Sequence, residues 1–156
     1  IIMDGVILGG LIKRLYPNFS LGDFDNRFKL QKFVFLMRFF KLDLGYTFNI
    51  YLRGPYSTDL TRDAFLLEEW DTLNPMKFES QEQESNFKSF LDFMKKNNRN
   101  DDIVWLEIAS TLLLLFDTNK RKKEELIDLC SKLKQNFDKD KIEEVYSSLL
   151  EDGLLK

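Results

Sequence analysis

The sequence has no histidine and only one cysteine among its 156 residues. Without histidine, the chain has no Ser-His-Asp or Cys-His nucleophilic system, no imidazole ligand for zinc and no access to the commonest general base. The single thiol, Cys130, excludes an internal disulfide and a thiolate metal cluster within one chain, and we interpret it as a small buried apolar residue on a helix. Any catalysis would rest on carboxylates, lysines and tyrosines, and an oxygen-ligated Mg²⁺ site stays open.

Long hydrophobic runs are also missing. The apolar opening stretch, IIMDGVILGGLI, is interrupted by Asp4 and three glycines and ends before Lys13 and Arg14, so it is far too short to cross a membrane. The net charge of −3 and the pI near 5.1 argue against a protein that coats nucleic acid generally, although a local basic patch stays open. We therefore expect a cytoplasmic protein without a membrane partner.

What the sequence does contain is enough apolar and aromatic material for a core. Hydrophobic residues make up 44% of the chain, and 15 residues are Phe. Length and composition predict a single helical domain over residues 1–156, with 1–78 and 79–156 as alternative sub-units. Helical periodicity and capping residues predict a mainly α fold of about seven helices with one short strand or hairpin segment. The predicted helices span about Met3–Leu15, Asn26–Lys41, Thr58–Trp70, Ser80–Lys96, Asp101–Phe116, Lys120–Gln135 and Asp138–Asp152.

The segment YTFNIYL is the one stretch that predicts a strand. Phe48, Ile50 and Leu52 alternate with Thr47 and Asn49, as expected for a strand that is buried on one face. The overlapping stretch LRGPYSTDL holds a Gly-Pro turn, after which a Ser-Thr pair would cap the third helix. That stretch is either a plain connection from strand to helix or the edge of a binding site.

The predicted second helix, NRFKLQKFVFLMRFFK, is apolar on two sides. Such a helix is either sandwiched between two layers of the fold or keeps an aromatic surface for a partner. In the first case the stem of Lys32 lies across Phe28 or Phe35. In the second case Lys32 forms a small positive site with Lys29 and Arg53, which would bind a phosphate or an acidic peptide.

Glu107 lies on the predicted fifth helix, which is apolar around nearly its whole circumference. A helix of this kind is expected in a core or in a homo-oligomer interface. A carboxylate there is costly unless it is paired, so a structural ion pair of Glu107 with Lys32, Arg62 or Arg53 is the favoured interpretation. A catalytic carboxylate is the alternative, although no second carboxylate shares its face at helical spacing.

The last three predicted helices have the pattern of a winged-helix-like tri-helical unit, whose third helix would enter the major groove of DNA. That helix carries lysines and glutamates together, and this mixed charge repels phosphates about as much as it attracts them. The residues after Gly153, LLK, could begin a short wing strand. A basic run at the start of the sixth helix supplies the candidate nucleic-acid contacts Lys120, Arg121, Lys122 and Lys123.

Three blocks of the chain, taken in order, resemble the YwgA-like proteins of bacteria and archaea. The blocks are KLQKFVFLMRFF, FNIYLRGPYSTDL and LEIASTLLLL. They are similar to that family's Lys-Leu-Gln-Lys helix, its aromatic strand running into Gly-Pro-Tyr-Ser, and its later Leu-Glu-hydrophobic-Ala helix. The resemblance implies a small helical domain with a short strand segment, and it implies no established activity.

A looser similarity connects the Lys-Leu-Gln-Lys helix and the Gly-Pro turn with the Panacea (SocA-like) antitoxin domain. This similarity implies a protein-binding antitoxin or adaptor that is encoded beside a toxin.

Together these features predict a non-enzymatic intracellular interaction module, antitoxin-like or regulatory, that acts through a protein partner and has no cofactor and no metal. The alternatives are a winged-helix-type DNA-binding regulator and, less favoured, a metal- or carboxylate-dependent enzyme. The candidate residues for binding a partner or an anion are Lys29, Lys32, Arg53, Gly54, Pro55, Tyr56 and Ser57.

Overall fold

The computed structural model describes residues 5–16, 19–66 and 77–155. Within these ranges it confirms a mainly α fold with seven helices and one two-stranded antiparallel hairpin. The helices are α1 Gly5–Leu15, α2 Phe24–Met37, α3 Thr58–Phe65, α4 Gln81–Lys95, α5 Ile103–Asn119, α6 Lys123–Leu133 and α7 Lys139–Glu151, and the strands are β1 Asn49–Tyr51 and β2 Gly54–Tyr56. Two 3-10 turns, Arg38–Phe40 and Lys96–Asp101, follow α2 and α4.

The ends of most helices lie close to the predicted ones. The fourth and seventh helices each begin and end one residue inside their predicted bounds. The second helix ends earlier than predicted, at Met37, because the chain tightens into a 3-10 turn and Lys41 takes a left-handed conformation at φ 59. The predicted first residue of the first helix, Met3, and the predicted end of the third, Trp70, lie outside the described residues.

The centre of the fold is α5. Asp102 caps this helix by accepting a hydrogen bond from the backbone N of Trp105 at 2.9 Å. Every residue from Trp105 to Leu115 is buried, and the helix packs against α2, α6, α7 and the hairpin. The nearly continuous apolar surface that the sequence predicts is therefore covered within the chain itself.

The second helix is sandwiched, as the first of the two interpretations of its pattern predicts. Asp23 caps it through the backbone N of Asp25 at 2.8 Å. Every residue from Leu30 to Met37 is buried. On one side the ring of Phe35 packs edge-on against Phe48, with ring centroids 5.3 Å apart. Because both faces are covered there, two polar residues of this helix, Gln31 and Lys32, are buried.

The hairpin corrects the predicted turn. Residues Gly54–Tyr56 form a second strand that pairs with Asn49–Tyr51, and Ile50 lies opposite Pro55 in the register. The chain reverses at Leu52 and Arg53, so the predicted inward alternation stops before Leu52, which is 93% exposed. The stretch LRGPYSTDL is therefore a two-residue turn, the strand β2, the capping residue Ser57 and the first three residues of α3.

The last three helices, α5, α6 and α7, pack against one another as a tri-helical unit. This arrangement is compatible with a winged helix. In the described part of the C-terminus no wing strand follows α7, because Gly153 turns the chain at φ 82 and the backbone N of Leu154 donates to the carbonyl oxygen of Leu149 at 3.0 Å. Leu155 then returns to the core, where it is buried. No helix in the described ranges has the length and apolarity that a membrane crossing requires.

A buried arginine joins the end of α4 to the end of α7. Arg99 lies between the rings of Phe93 and Trp105, with its guanidinium carbon 4.7 and 4.6 Å from their centroids. It forms a salt bridge of 2.6 Å with Asp152. Stacking on aromatic faces and pairing with a carboxylate let this cation lie in the interior.

Candidate functional site

A cavity of about 390 Å³ lies between the N-terminal half of α2, the hairpin and α3. We call this cavity the pocket. Its lining is mostly apolar and includes five aromatic rings, those of Phe24, Phe28, Tyr51, Tyr56 and Phe65. The large apolar side chains that line it yet remain exposed are Phe24, Tyr51, Leu52 and Phe65. A volume of this size with aromatic walls is typical of a site that takes an organic ligand or a buried side chain of a partner.

The charged residues that line the pocket all carry the same sign. They are Arg27, Lys32 and Arg53, and no acidic residue appears among the lining residues of the described chain. The whole protein has a net charge of −3, so this local excess of positive charge runs against the overall balance. The pocket therefore has the charge and the apolar surface to bind an anionic group attached to an apolar body.

Lys32 is the most unusual residue of the lining. Its side chain is 2% exposed, and its Nζ donates a hydrogen bond of 2.7 Å to the carbonyl oxygen of Pro55. The ammonium also lies 4.9 Å from the centroid of the Phe28 ring, as expected for a lysine stem that crosses this ring. In the described residues it forms no salt bridge, because no carboxylate oxygen approaches it within bonding distance.

The surroundings of Lys32 favour the neutral amine. Burial, with a smaller contribution from the nearby cations Lys134 and Arg53, lowers the pKa of Lys32 from 10.5 to about 7. The carboxylate of Glu107 opposes this effect and raises the pKa. Near neutral pH, Lys32 is therefore protonated in only a fraction of the protein molecules.

Glu107 forms the ion network behind the pocket. Its Oε1 accepts from Nε of Arg53 at 2.7 Å, and its Oε2 lies 3.1 Å from Nζ of Lys134. Glu107 is 2% and Lys134 3% exposed, whereas the side chain of Arg53 is 47% exposed. Lys134 also donates to the carbonyl oxygen of Leu52 at 2.7 Å, which fixes the turn of the hairpin onto α6. The network thus fastens the hairpin to two helices of the C-terminal unit.

The partners predicted for Glu107 were partly wrong. Arg53, one of the candidates, is a partner, but Lys32 and Arg62 form no salt bridge with Glu107. Arg62 is exposed on α3, where it pairs with Asp59 at 3.2 Å and with Asp63 at 3.7 Å. The actual second partner, Lys134, lies at the end of α6, and its burial depends on how that helix packs against α5.

A second hydrogen-bond network joins α2 to the start of α3. The backbone N of Ser57 donates to Oε1 of Gln31 at 2.9 Å, and Nε2 of Gln31 donates to the carbonyl oxygen of Ser57 and to Oγ1 of Thr61. Ser57 also caps α3 by accepting from the backbone N of Leu60 at 3.2 Å. Thr61 in turn donates to the hydroxyl of Tyr56 at 2.6 Å. Ser57 therefore has a structural role, while Tyr56 and Thr61 present hydroxyls to the pocket.

The backbone of β2 lies very close to α5 at Gly54. It has φ 96, and a Cβ built on it would lie 2.9 Å from Oγ1 of Thr111 and 3.4 Å from Nζ of Lys32. Thr111 cannot easily yield, since its Oγ1 already donates to the carbonyl oxygen of Glu107 at 2.7 Å. The absence of a side chain at Gly54 is what lets β2 lie directly on α5.

We expect Gly54→Ala to lower the free energy of unfolding by about 2 kcal/mol, from backbone strain at positive φ together with the contact on Thr111. Gly153→Ala is the matched control, because Gly153 also has a positive φ but nothing lies within 4 Å of its added Cβ. Urea denaturation of both variants measures the difference. Equal losses of stability would contradict the close packing of Gly54.

The predicted anion-binding residues separate into three groups. Lys32, Arg53, Gly54 and Tyr56 line the pocket, while Pro55 and Ser57 support its wall through backbone atoms. Lys29 lies apart from them and forms a salt bridge of 2.8 Å with Asp101. Sequence reasoning missed Gln31, Lys134, Phe24 and Phe65, of which only Gln31 gives a signal, as a polar residue in a strongly apolar helix.

The basic run that was predicted to contact nucleic acid is partly occupied by contacts within the chain. Lys120 pairs with Asp117 at 3.8 Å, and Arg121 donates to the carbonyl oxygen of Leu115 at 3.1 Å. Lys123 lies over the ring of Tyr146, and Lys122 is exposed next to it. Lys120, Lys122 and Lys123 are nevertheless exposed, and Arg121 is half-buried.

Two further observations bear on function. In the described part of the chain, no group of three or more carboxylate or thiol side chains has a geometry that would hold a metal ion. No family model, curated protein or solved structure matches this chain. The geometry of the pocket is therefore the main indication of function.

Proposed function

We propose that this domain is a non-enzymatic interaction module that binds an acidic and apolar segment of a protein partner in the pocket. The observation that supports this most strongly is the combination of exposed aromatic rings with an all-cationic set of charged residues in one cavity. Exposed apolar patches rimmed by polar groups are typical of interaction sites. Arginine and aromatic residues are also the residue types that most often dominate binding energy.

The partner segment would combine one large apolar side chain with a neighbouring carboxylate. The apolar side chain would fill the space between Phe24, Tyr51 and Phe65. The carboxylate would approach Arg53, whose guanidinium lies 4.9 Å from the ring centroid of Phe28 and uses only its Nε for Glu107 among the described contacts. The guanidinium is therefore already held in place before a ligand arrives, which reduces the entropic cost of binding.

The looser similarity to the Panacea (SocA-like) antitoxin domain supports this proposal, whereas the YwgA-like resemblance implies no activity. An antitoxin or adaptor acts by holding a protein partner, and the Lys-Leu-Gln-Lys and Gly-Pro-Tyr-Ser blocks of the resemblance supply Lys32, Gly54 and Tyr56 of the pocket. An antitoxin-like or regulatory role remains part of the proposal.

The two alternatives have less support in the geometry. A DNA-binding regulator would need a basic surface, yet Arg121 donates to the carbonyl oxygen of Leu115, Lys120 lies 3.8 Å from Asp117, and α7 carries lysines together with glutamates. A carboxylate-dependent enzyme would need Glu107 to accept a proton from a substrate, yet both of its oxygens are held by cations.

Selection of a displayed random-peptide library on the protein tests the proposal. We expect the selected peptides to share a large apolar residue beside Asp or Glu, and Asp→Asn in a selected peptide to weaken binding about tenfold by fluorescence anisotropy. Phe65→Ser should weaken binding to a similar degree without unfolding the protein, because Phe65 is 58% exposed.

Leu150→Ser is the matched control, since Leu150 is a similarly exposed apolar residue on α7 that does not line the pocket. It should leave peptide binding unchanged. A library that yields no acidic and apolar consensus, or peptides that bind Phe65→Ser as tightly as the original protein, would overturn the proposal.

A further inference from the structure

The two buried lysines of the protein have opposite environments. Lys134 is 3% exposed, and a carboxylate oxygen of Glu107 lies 3.1 Å from its Nζ, so the charge of its ammonium is balanced by a salt bridge. Lys32 is 2% exposed and has the carbonyl oxygen of Pro55 as its one hydrogen-bond acceptor in the described chain. Both oxygens of the nearest carboxylate, Glu107, are already paired with Arg53 and Lys134. Lys32 is therefore a buried amine without a counter-ion.

This amine lies among residues that line an open cavity. Lys32 itself lines the pocket, and its Nζ is flanked by two other lining residues, the ring of Phe28 and the bare backbone of Gly54. Any larger residue in place of Gly54 would bring a carbon atom to 3.4 Å from the nitrogen. A desolvated lysine beside other cationic groups in an apolar cavity is the environment in which enzymes activate an amine as a nucleophile.

We propose that Lys32 is a carbonyl-reactive lysine, which forms an imine with an aldehyde or keto acid that has an apolar or aromatic body and enters the pocket. The pKa of Lys32, about 7, supports this assignment because the neutral amine is then abundant at neutral pH. The inference does not depend on the proposed protein partner. Both ligands would occupy the same cavity, so a carbonyl compound would compete with the partner segment.

The reaction needs no co-reactant. The lone pair of the neutral Nζ attacks the carbonyl carbon, and the electrons of the C=O π bond move to its oxygen, which takes a proton from water. The nitrogen gives one N–H proton to solvent, the hydroxyl takes a second proton from solvent and leaves as water, and the remaining N–H proton passes to solvent, leaving a C=N bond. One amine and one carbonyl compound therefore yield one imine and one water, and no atom is oxidised or reduced.

The lining defines the chemical class of the ligand. The aromatic rings of Phe24, Phe28 and Tyr51 would hold a planar apolar body. Arg53 and Arg27 would hold a carboxylate on that body, because no acidic residue lines the pocket to repel it. An aromatic aldehyde or 2-keto acid that carries one carboxylate fits both features.

Reductive trapping on the intact chain tests the assignment. The protein is incubated with 4-carboxybenzaldehyde and sodium cyanoborohydride, which reduces an imine to a stable amine, and the labelled lysines are then located by proteolysis and mass spectrometry. At pH 7.5 we expect Lys32 to be labelled about tenfold faster than the exposed Lys132, because an amine of pKa about 7 is mostly neutral there and one of ordinary pKa is not. This ratio should fall as the pH rises towards 10, where the exposed lysines also become neutral.

The same digest contains its own control. Lys134 is as buried as Lys32 but salt-bridged, and it should remain unlabelled at neutral pH. Phe65→Ser should slow the labelling of Lys32 about threefold or more without changing that of Lys132, whereas Leu150→Ser should change neither. Equal labelling of Lys32 and Lys132 at pH 7.5, or labelling of Lys134 as fast as that of Lys32, would overturn the inference.

Discussion

Replacing Glu107 with glutamine should lower the free energy of unfolding by about 3–5 kcal/mol. The side chain is isosteric, so the packing around it stays nearly the same and only the charge is lost. In the original protein the ammonium of Lys134 lies 3.1 Å from the Glu107 carboxylate. In the variant this ammonium would stay buried without that carboxylate. Removing one member of a buried ion pair is far more costly than removing both, because the remaining charge stays desolvated.

Urea denaturation followed by tryptophan fluorescence measures this loss, since Trp105 on α5 is buried in the folded protein. The double variant Glu107→Leu with Lys134→Met should recover most of the stability, since it leaves no buried charge. Arg53→Gln should cost about 1 kcal/mol or less, because the Arg53 side chain is 47% exposed and can be solvated. A Glu107→Gln protein as stable as Arg53→Gln would show that the Lys134 ammonium reaches water.

The helices could be predicted because their signals are local. Ser57 caps α3 by accepting from the backbone N of Leu60 at 3.2 Å, and the Ser-Thr pair was predicted to cap this helix. The long apolar run of α5 could only be a core helix or an interface helix, and the chain covers it by itself. Such features depend on residues that are neighbours along the chain.

The hairpin was harder to predict because its residues have weak strand preference. Glycine and proline are depleted in strands, so GPY was interpreted as a turn. In the structure Gly54 takes a positive φ and lies against Thr111, while Pro55 lies opposite Ile50 in a sheet of only two strands. What makes this segment a strand is the surface of α5 beneath it, which no local pattern reveals.

Part of the candidate site could be predicted from the sequence. Lys32 and Arg53 were selected as cations near a Gly-Pro turn, and both line the pocket with Tyr56. Lys29 was selected with them, but it does not line the pocket and instead forms a salt bridge with Asp101. Lys134 was not selected, because a lysine at the end of an amphipathic helix is usually solvated and only the packing of α6 on α5 buries it. The sequence therefore did not predict the ion pairs between residues that are distant along the chain.

Replacing Lys32 with methionine should remove a pH dependence of stability of about 2–3 kcal/mol between pH 6.5 and pH 9. In the folded protein the pKa of Lys32 is about 7, whereas in the unfolded chain it returns to 10.5. Below pH 7 both states carry the proton, and the folded state bears the full cost of a buried ammonium. Between these two pKa values the unfolded chain holds a proton that the folded chain lacks, so the free energy of unfolding rises with pH.

The charged groups that face Lys32 are Glu107 on α5, Lys134 at the end of α6 and Arg53 in the hairpin turn. The measurement ends at pH 9 because the pKa of Cys130 is raised to about 12 by burial, which makes stability fall once this thiol titrates in the unfolded chain. Lys132→Met, at an exposed position, should show the same rise with pH as the original protein. If Lys32→Met also shows this rise, Lys32 keeps its ordinary pKa, and the neutral amine on which its carbonyl reactivity depends is absent at neutral pH.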